Sequence, residues 1–164
     1  MSEMELPHTD GCLVCGRANP HGLRLSLHVD PVSGRVSTRF TPQAEHIGFE
    51  GIVHGGVLAT VLDEAMVWAA TWKGRRFCVC GELVTRFRHS AQVGQPLRID
   101  AEVEFWRPRL VQTVAKVFDD LGRLIATGSG KYVPMPAEHH AAVVKTFVPE
   151  PNTAQAAQML KAST

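Results

Sequence analysis

The 164-residue chain predicts an α+β fold in which a curved antiparallel sheet wraps one long central helix. Three observations predict it. A single long helical pattern occupies residues 56–72, a short alternating hairpin precedes it, and four strand-length segments follow it with only short turns between them. One apolar helix followed by a meander of strands can bury its apolar surface only if the sheet curves around it.

In chain order, residues 11–22 form a turn-rich lead-in marked by Asn19-Pro20 and His21-Gly22. Leu23, Leu25, Leu27 and Val29 alternate with Arg24, Ser26, His28 and Asp30, a half-buried strand. After the turn at 30–34, Val36, Thr38 and Phe40 continue the alternation on a return strand, which makes 23–40 a hairpin. Residues 41–53 read as a loop. The helix runs from about Gly56 to Trp72, because Leu58, Val61, Leu62, Ala65, Trp68, Ala69 and Trp72 follow the i, i+3, i+4 rule. Its other side, with Ala59, Thr60, Asp63, Val67 and Ala70, is small rather than charged, as a surface covered by a second subunit would be. Lys73-Gly74-Arg75-Arg76 ends it with a glycine and with cations at its negative pole. Strands are then expected over 77–89, 97–106, 110–118 and 123–133, the third apolar on both faces as a central strand should be. Residues 137–147 and 153–162 can each form a short helix. The expected organisation is therefore a lead-in at 1–22, a main domain at 23–136 and a helical or partly disordered appendage at 137–164.

Composition excludes several function classes. Lys+Arg 17 against Asp+Glu 16 leaves no basic surface for nucleic acid. The acidic, polar residues 1–10 lack the pattern of a secretory leader, and Asp63 and Glu64 interrupt the only apolar run that approaches membrane-spanning length. A cytoplasmic location, with no membrane partner, is the expectation. Cys12, Cys15, Cys78 and Cys80 offer enough donors for a zinc site, with His8 or His21 able to join. Cys78-Val79-Cys80 reads as a strand, however, so free thiols and no metal are expected.

The chemistry concentrates in residues 48–72. Gly55 and Gly56 open a helix whose free N–H groups suit a developing negative charge, and His54 stands just before them. Asp63 and Glu64 place two acids where a structural helix would prefer apolar residues, and acids on a largely buried helix need a partner or a use. They lie about 100° apart around the helix, so both cannot serve one site.

The segments Gly51-Ile52-Val53-His54-Gly55-Gly56, Leu62-Asp63-Glu64-Ala65-Met66 and Leu83-Val84-Thr85-Arg86-Phe87-Arg88 resemble the hotdog-fold acyl-CoA thioesterases of the PaaI and 4-hydroxybenzoyl-CoA thioesterase type. The lead-in Cys12-x-x-Cys15-Gly16-x-x-Asn19-Pro20-x-Gly22-Leu23 resembles a subset of them, so the likeness spans residues 11–136. It implies hydrolysis of a small or medium acyl-CoA to free acid and CoA. Gly55 N–H then serves as oxyanion donor and Asp63 as nucleophile or general base, with coenzyme A entering only as part of the substrate. His54 orients the Gly55 turn or lines the site, and Glu64 is a second-ranked acid. Gly56, Cys80, Gly81, Arg86 and Arg88 are candidates for substrate contact, the arginines through CoA phosphates. Gly55 and Asp63 are eight residues apart, roughly 12 Å along a helix, too far to meet one carbonyl carbon within a chain. The resemblance resolves this with a homodimer, or a dimer of dimers, in which Asp63 of one subunit meets Gly55 of the other.

Two positions depart from the family pattern. Gly48 stands where many relatives have Asn or Gln, and Cys80-Gly81-Glu82 where many have Ser or Thr. They support an alternative, a non-catalytic acyl-CoA-binding or sensing module. A zinc-stabilised interaction domain is a third reading. A hotdog dehydratase fits less well, because the Asp…His loop of those enzymes is lacking.

Overall fold

The computed structural model describes residues 3–162. Strands β1 (Met4–Glu5), β2 (Leu27–Val29) and β3 (Val36–Phe40) lead to a 3-10 turn at Ala44–His46 and a small ribbon of β4 (Ile47–Phe49) and β5 (Ile52–Val53). Helix α1 (Gly55–Gly74) follows, then β6 (Cys78–Phe87), β7 (Leu97–Arg107), β8 (Leu110–Asp119) and β9 (Leu124–Pro134), and finally helices α2 (Ala137–Val144) and α3 (Ala154–Lys161). Seven strands form one sheet in the order β1-β2-β3-β7-β8-β9-β6, all neighbours antiparallel. The architecture is the expected one, a single sheet around a single long helix. The outermost residues of the lead-in and the appendage, 1–2 and 163–164, lie outside the described residues.

The core lies between α1 and the concave face of the sheet. Val61, Leu62, Ala65, Met66 and Ala69 are 0–1% exposed and pack against Ile99, Val111, Val117 and Ile125 of the strands. Each such large side chain contributes about 1.5–3 kcal/mol of burial, which is what holds helix and sheet in register. Two glycines of β9 set the distance. A Cβ on Gly128 would come 3.0 Å from Met66 Cε, and one on Gly130 would come 2.5 Å from the Tyr132 ring. The bare backbone at these positions lets the helix settle close and lets the Tyr132 ring lie back over the strand. Gly130→Ala is therefore expected to displace that ring and to cost about 1–3 kcal/mol of stability, read as a lowered Tm in thermal unfolding.

The first expected strand is shorter than its alternation suggests. Leu23 and Leu25 donate their N–H groups to the lead-in, at Leu13 O and Val14 O (2.8 Å each), and Arg24 takes a positive φ of 55°, so pairing with β3 starts only at Leu27. The lead-in itself supplies the edge strand β1. The loop expected over 41–53 contains the β4–β5 ribbon. On the small side of α1, Ala70 is buried by the chain's own residues, whereas Ala59, Thr60, Asp63 and Val67 stay half-buried. Helix α2 packs against α3 and α3 against β1, while Trp68 of α1 forms an aromatic cluster with Phe77 and Phe147, and His140 Nδ1 accepts from Phe77 N (3.0 Å). Among the described residues no helix is long and apolar enough to cross a membrane.

Candidate active site

The site is built where α1 begins and along the side of α1 that borders β6. His54 is the N-cap, with extended backbone (φ −61°, ψ 131°), and its Nδ1 accepts from Gly56 N–H at 2.9 Å. That bond occupies the Gly56 donor and fixes which imidazole nitrogen carries the lone pair. The N–H of Gly55, the first helical residue, donates to no group among the described residues. The helix start thus presents one unused donor at its positive pole. Beside it, the Phe87 ring at the end of β6 lies so close that a Cβ on Gly55 would be 3.1 Å from Cζ. Phe87, Arg88, Ile52 and Leu58 line an open depression next to this donor. Arg86 and Arg88 are both exposed, and neither is ion-paired among the described residues.

Two turns along the helix, Asp63 Oδ1 accepts a 2.7 Å hydrogen bond from the Tyr132 hydroxyl. Tyr132 is fully buried on β9, and burial together with the Asp63 carboxylate pushes its phenol above the ordinary range. It therefore stays a hydroxyl and acts as a donor. Cys80 is directly opposite Tyr132 in the β6–β9 register, and a β-bulge at Gly81 shifts the pairing immediately afterwards. The alternation places both side chains on the helix-facing side. Burial first, and then the Asp63 carboxylate, push the Cys80 thiol up, so it too stays protonated beside that acid. Tyr132→Phe removes a charge-assisted hydrogen bond worth about 1.5–3 kcal/mol. The expected result is a lowered Tm in thermal unfolding.

The structure thus gathers His54, Gly55 and Gly56 at one end of the helix and Asp63 and Cys80 two turns away, while Gly81, in the bulge, neighbours Lys131 and Val133 of β9. Glu64 is not brought to either group. Its carboxylate turns to the other flank of α1, where Trp68 Nε1 donates to Oε1 (3.0 Å), and burial pushes its pKa up to about 7, with Cys12 adding to the effect. Gly48 is the loop position where a polar side chain is absent, and the loop runs close against the helix N-cap there. A Cβ there would meet His54 Cα at 3.0 Å. Tyr132 was not singled out by sequence reasoning. The signal available was that the only tyrosine in the chain falls on an inward position of a strand, where its hydroxyl must find a partner.

The geometry matches known proteins. A family model described as the thioesterase superfamily matches residues 50–126, from the loop before α1 into β9. No curated protein matches the chain in sequence. Among solved structures, one thioesterase superfamily protein shares 24% identity at a TM-score of 0.70, covering 76% of this chain, and this chain spans only 60% of that protein's length. The Escherichia coli PaaI protein from the phenylacetic acid degradation operon shares 19% identity at a TM-score of 0.64, over 70% of this chain and 81% of that one. A Streptococcus mutans protein bound to acetyl CoA shares 17% identity at a TM-score of 0.60, over 63% of this chain and 82% of that one. With one sheet wrapped around one helix, the chain has the hotdog fold, and its residues 50–126, which carry both the helix start and Asp63, are similar to the thioesterase superfamily.

Proposed function

We propose that the chain hydrolyses a small or medium acyl-CoA thioester, with Gly55 and Asp63 acting on one substrate across a homodimer interface. The observation that carries this reading is the pairing of a Gly55 N–H unused among the described residues with a carboxylate at Asp63 anchored by the buried Tyr132 hydroxyl, on a half-buried stripe of α1 that also carries Ala59 and Val67. Attack on a thioester carbonyl puts negative charge on its oxygen. A preorganised N–H at a helix start stabilises that charge, by about 3–4 kcal/mol for one donor. Asp63 either takes a proton from the attacking water as its oxygen bonds to the carbonyl carbon, or itself attacks to give an anhydride that water then opens. In both routes the C–S bond breaks and CoA leaves as the thiol form after gaining a proton.

The dimer follows from the same surface. Among the described residues strand β6 pairs only with β9, so a ten-residue edge is open. Val79, Leu83, Val84 and Phe87 on it, with Val133 beside it, are 37–53% exposed. A long apolar edge next to half-buried Ala59, Asp63 and Val67 is the kind of surface that a second strand and helix cover. The bound acetyl CoA of the Streptococcus mutans relative supports the ligand class. The open depression beside Gly55, with Arg88 at its rim, suits CoA phosphates.

The test is release of free thiol by purified protein across a panel of acyl-CoA thioesters, with particle mass measured in parallel. The reading predicts hydrolysis that Asp63→Asn abolishes, and a dimer or larger assembly. A second reading, a binding module without turnover, draws on the bare Gly48 loop. It predicts tight acyl-CoA binding with no thiol released.

A further inference from the structure

Away from Asp63, a second group of chemistry-bearing side chains occupies the opposite flank of α1. The lead-in turn folds over the helix so that Cys12 Sγ, Cys15 Sγ and a Glu64 carboxylate oxygen all lie within 4.8 Å of one another. We propose that these three residues form a binding site for a zinc-class divalent cation, which pins the lead-in to the helix that carries Asp63.

The turn is already shaped to hold a metal-bound thiolate. The backbone N–H groups of Val14 and Cys15 both donate to Cys12 Sγ, each at 3.3 Å. Gly16 closes the turn with its N–H on Cys12 O (3.0 Å), and a Cβ at that position would stand 2.4 Å from the carbonyl oxygens of Asp10 and Cys12. Only glycine permits this path, so the loop that aims the two thiols is sterically specified. The spacing of donors also fits. A tetrahedral zinc with ordinary bond lengths places a sulfur and an oxygen ligand about 3.6 Å apart. Cys12 Sγ and Glu64 Oε1 are 3.8 Å apart.

Charge points the same way. Glu64 is half-buried, and no Lys or Arg among the described residues pairs with it. Its oxygen is instead held by Trp68 Nε1, a partner that orients a ligand without neutralising it. Cys12 Sγ faces this carboxyl, its other side held by the N–H groups of Val14 and Cys15. A dication would balance both. The remaining cysteines are elsewhere. Cys78 Sγ bonds Arg76 O (3.4 Å) and Cys80 sits by Asp63, so a site made of all four cysteines does not form. Three protein donors leave one tetrahedral position, on the half-exposed side of Cys12, for water or a further ligand.

This inference does not depend on the proposed hydrolysis, and its readouts are metal content and a spectrum rather than activity. The full chain, reduced and stripped of metal, is titrated with cobalt(II), and the protein as purified from zinc-supplemented medium is analysed for metal. The expected result is about one zinc per chain, together with sulfur-to-cobalt charge-transfer absorption and the intense visible bands of a tetrahedral ion. Cys12→Ser and Cys15→Ser each weaken the charge-transfer band and together remove it, Glu64→Gln weakens zinc binding about tenfold or more, and Cys78→Ser changes nothing. Should Cys15→Ser fail to fold, the half-exposed Cys12→Ser and the unsubstituted chain still decide the matter. The proposal is overturned if the reduced chain gives no cobalt–sulfur band, if zinc stays below about a tenth of an equivalent, or if the metal persists when both cysteines are replaced. A Cys12–Cys15 disulfide that takes no metal after reduction overturns it as well.

Discussion

Asp63→Asn is expected to lower kcat for acyl-CoA hydrolysis by about a hundred- to ten-thousand-fold while the protein stays folded. Asparagine keeps the shape of the side chain and can still accept from the Tyr132 hydroxyl, which is 2.7 Å away, so the fold loses little. What is lost is the ability to take a proton or to attack the carbonyl. Because the role proposed for Asp63 is on the reacting atoms rather than on CoA, KM should move far less than kcat. Circular dichroism and the thermal transition check folding, and free-thiol release checks the rate. An unchanged kcat in this variant would remove Asp63 from the chemistry.

Gly55→Pro carries the second-largest expected effect, a fall of about a hundred- to a thousandfold in kcat. Proline is favoured at the first helical position, and the residue before it must be extended. His54 already has φ −61° and ψ 131°, so the backbone needs no rearrangement. The substitution deletes one N–H that no group among the described residues uses. Phe87, 53% exposed at the end of the edge strand, can swing aside for the ring. Steady-state kinetics against the unsubstituted chain, at matched Tm, read the loss.

Much of this architecture was legible in the residues themselves. The 3.6-residue spacing from Leu58 to Trp72 marked α1, and strict alternation marked β7, because both elements bury one face against a single core. The pattern misled at Leu23 and Leu25. Their side chains alternate as a strand's do, but the lead-in takes their hydrogen bonds, and competition for backbone donors leaves no trace in hydropathy. Gly55 and Asp63 were visible as a donor-rich helix start and an acid on an apolar helix. Tyr132 was not, since its link to Asp63 joins positions 69 residues apart on different elements. Glu64 shows the same limit. Its partners Cys12 and Trp68 lie 52 residues upstream and one turn downstream, and only the folded path of the lead-in brings the cysteines to it. Side-chain periodicity reports burial and leaves pairing between distant segments unspecified.

The central claim is that one active site takes Gly55 from one subunit and Asp63 from the other, since roughly 12 Å of helix separates them within a chain. Mixed dimers test this most directly. Chains carrying Gly55→Pro and chains carrying Asp63→Asn, each inactive alone, are given different affinity tags, co-expressed and purified through both tags in turn. Every mixed dimer then holds one site with both defects and one with neither. The account predicts about half the unsubstituted rate per dimer. Mixed dimers as inactive as the two parents would contradict it, because a site contained in one chain cannot be restored by pairing.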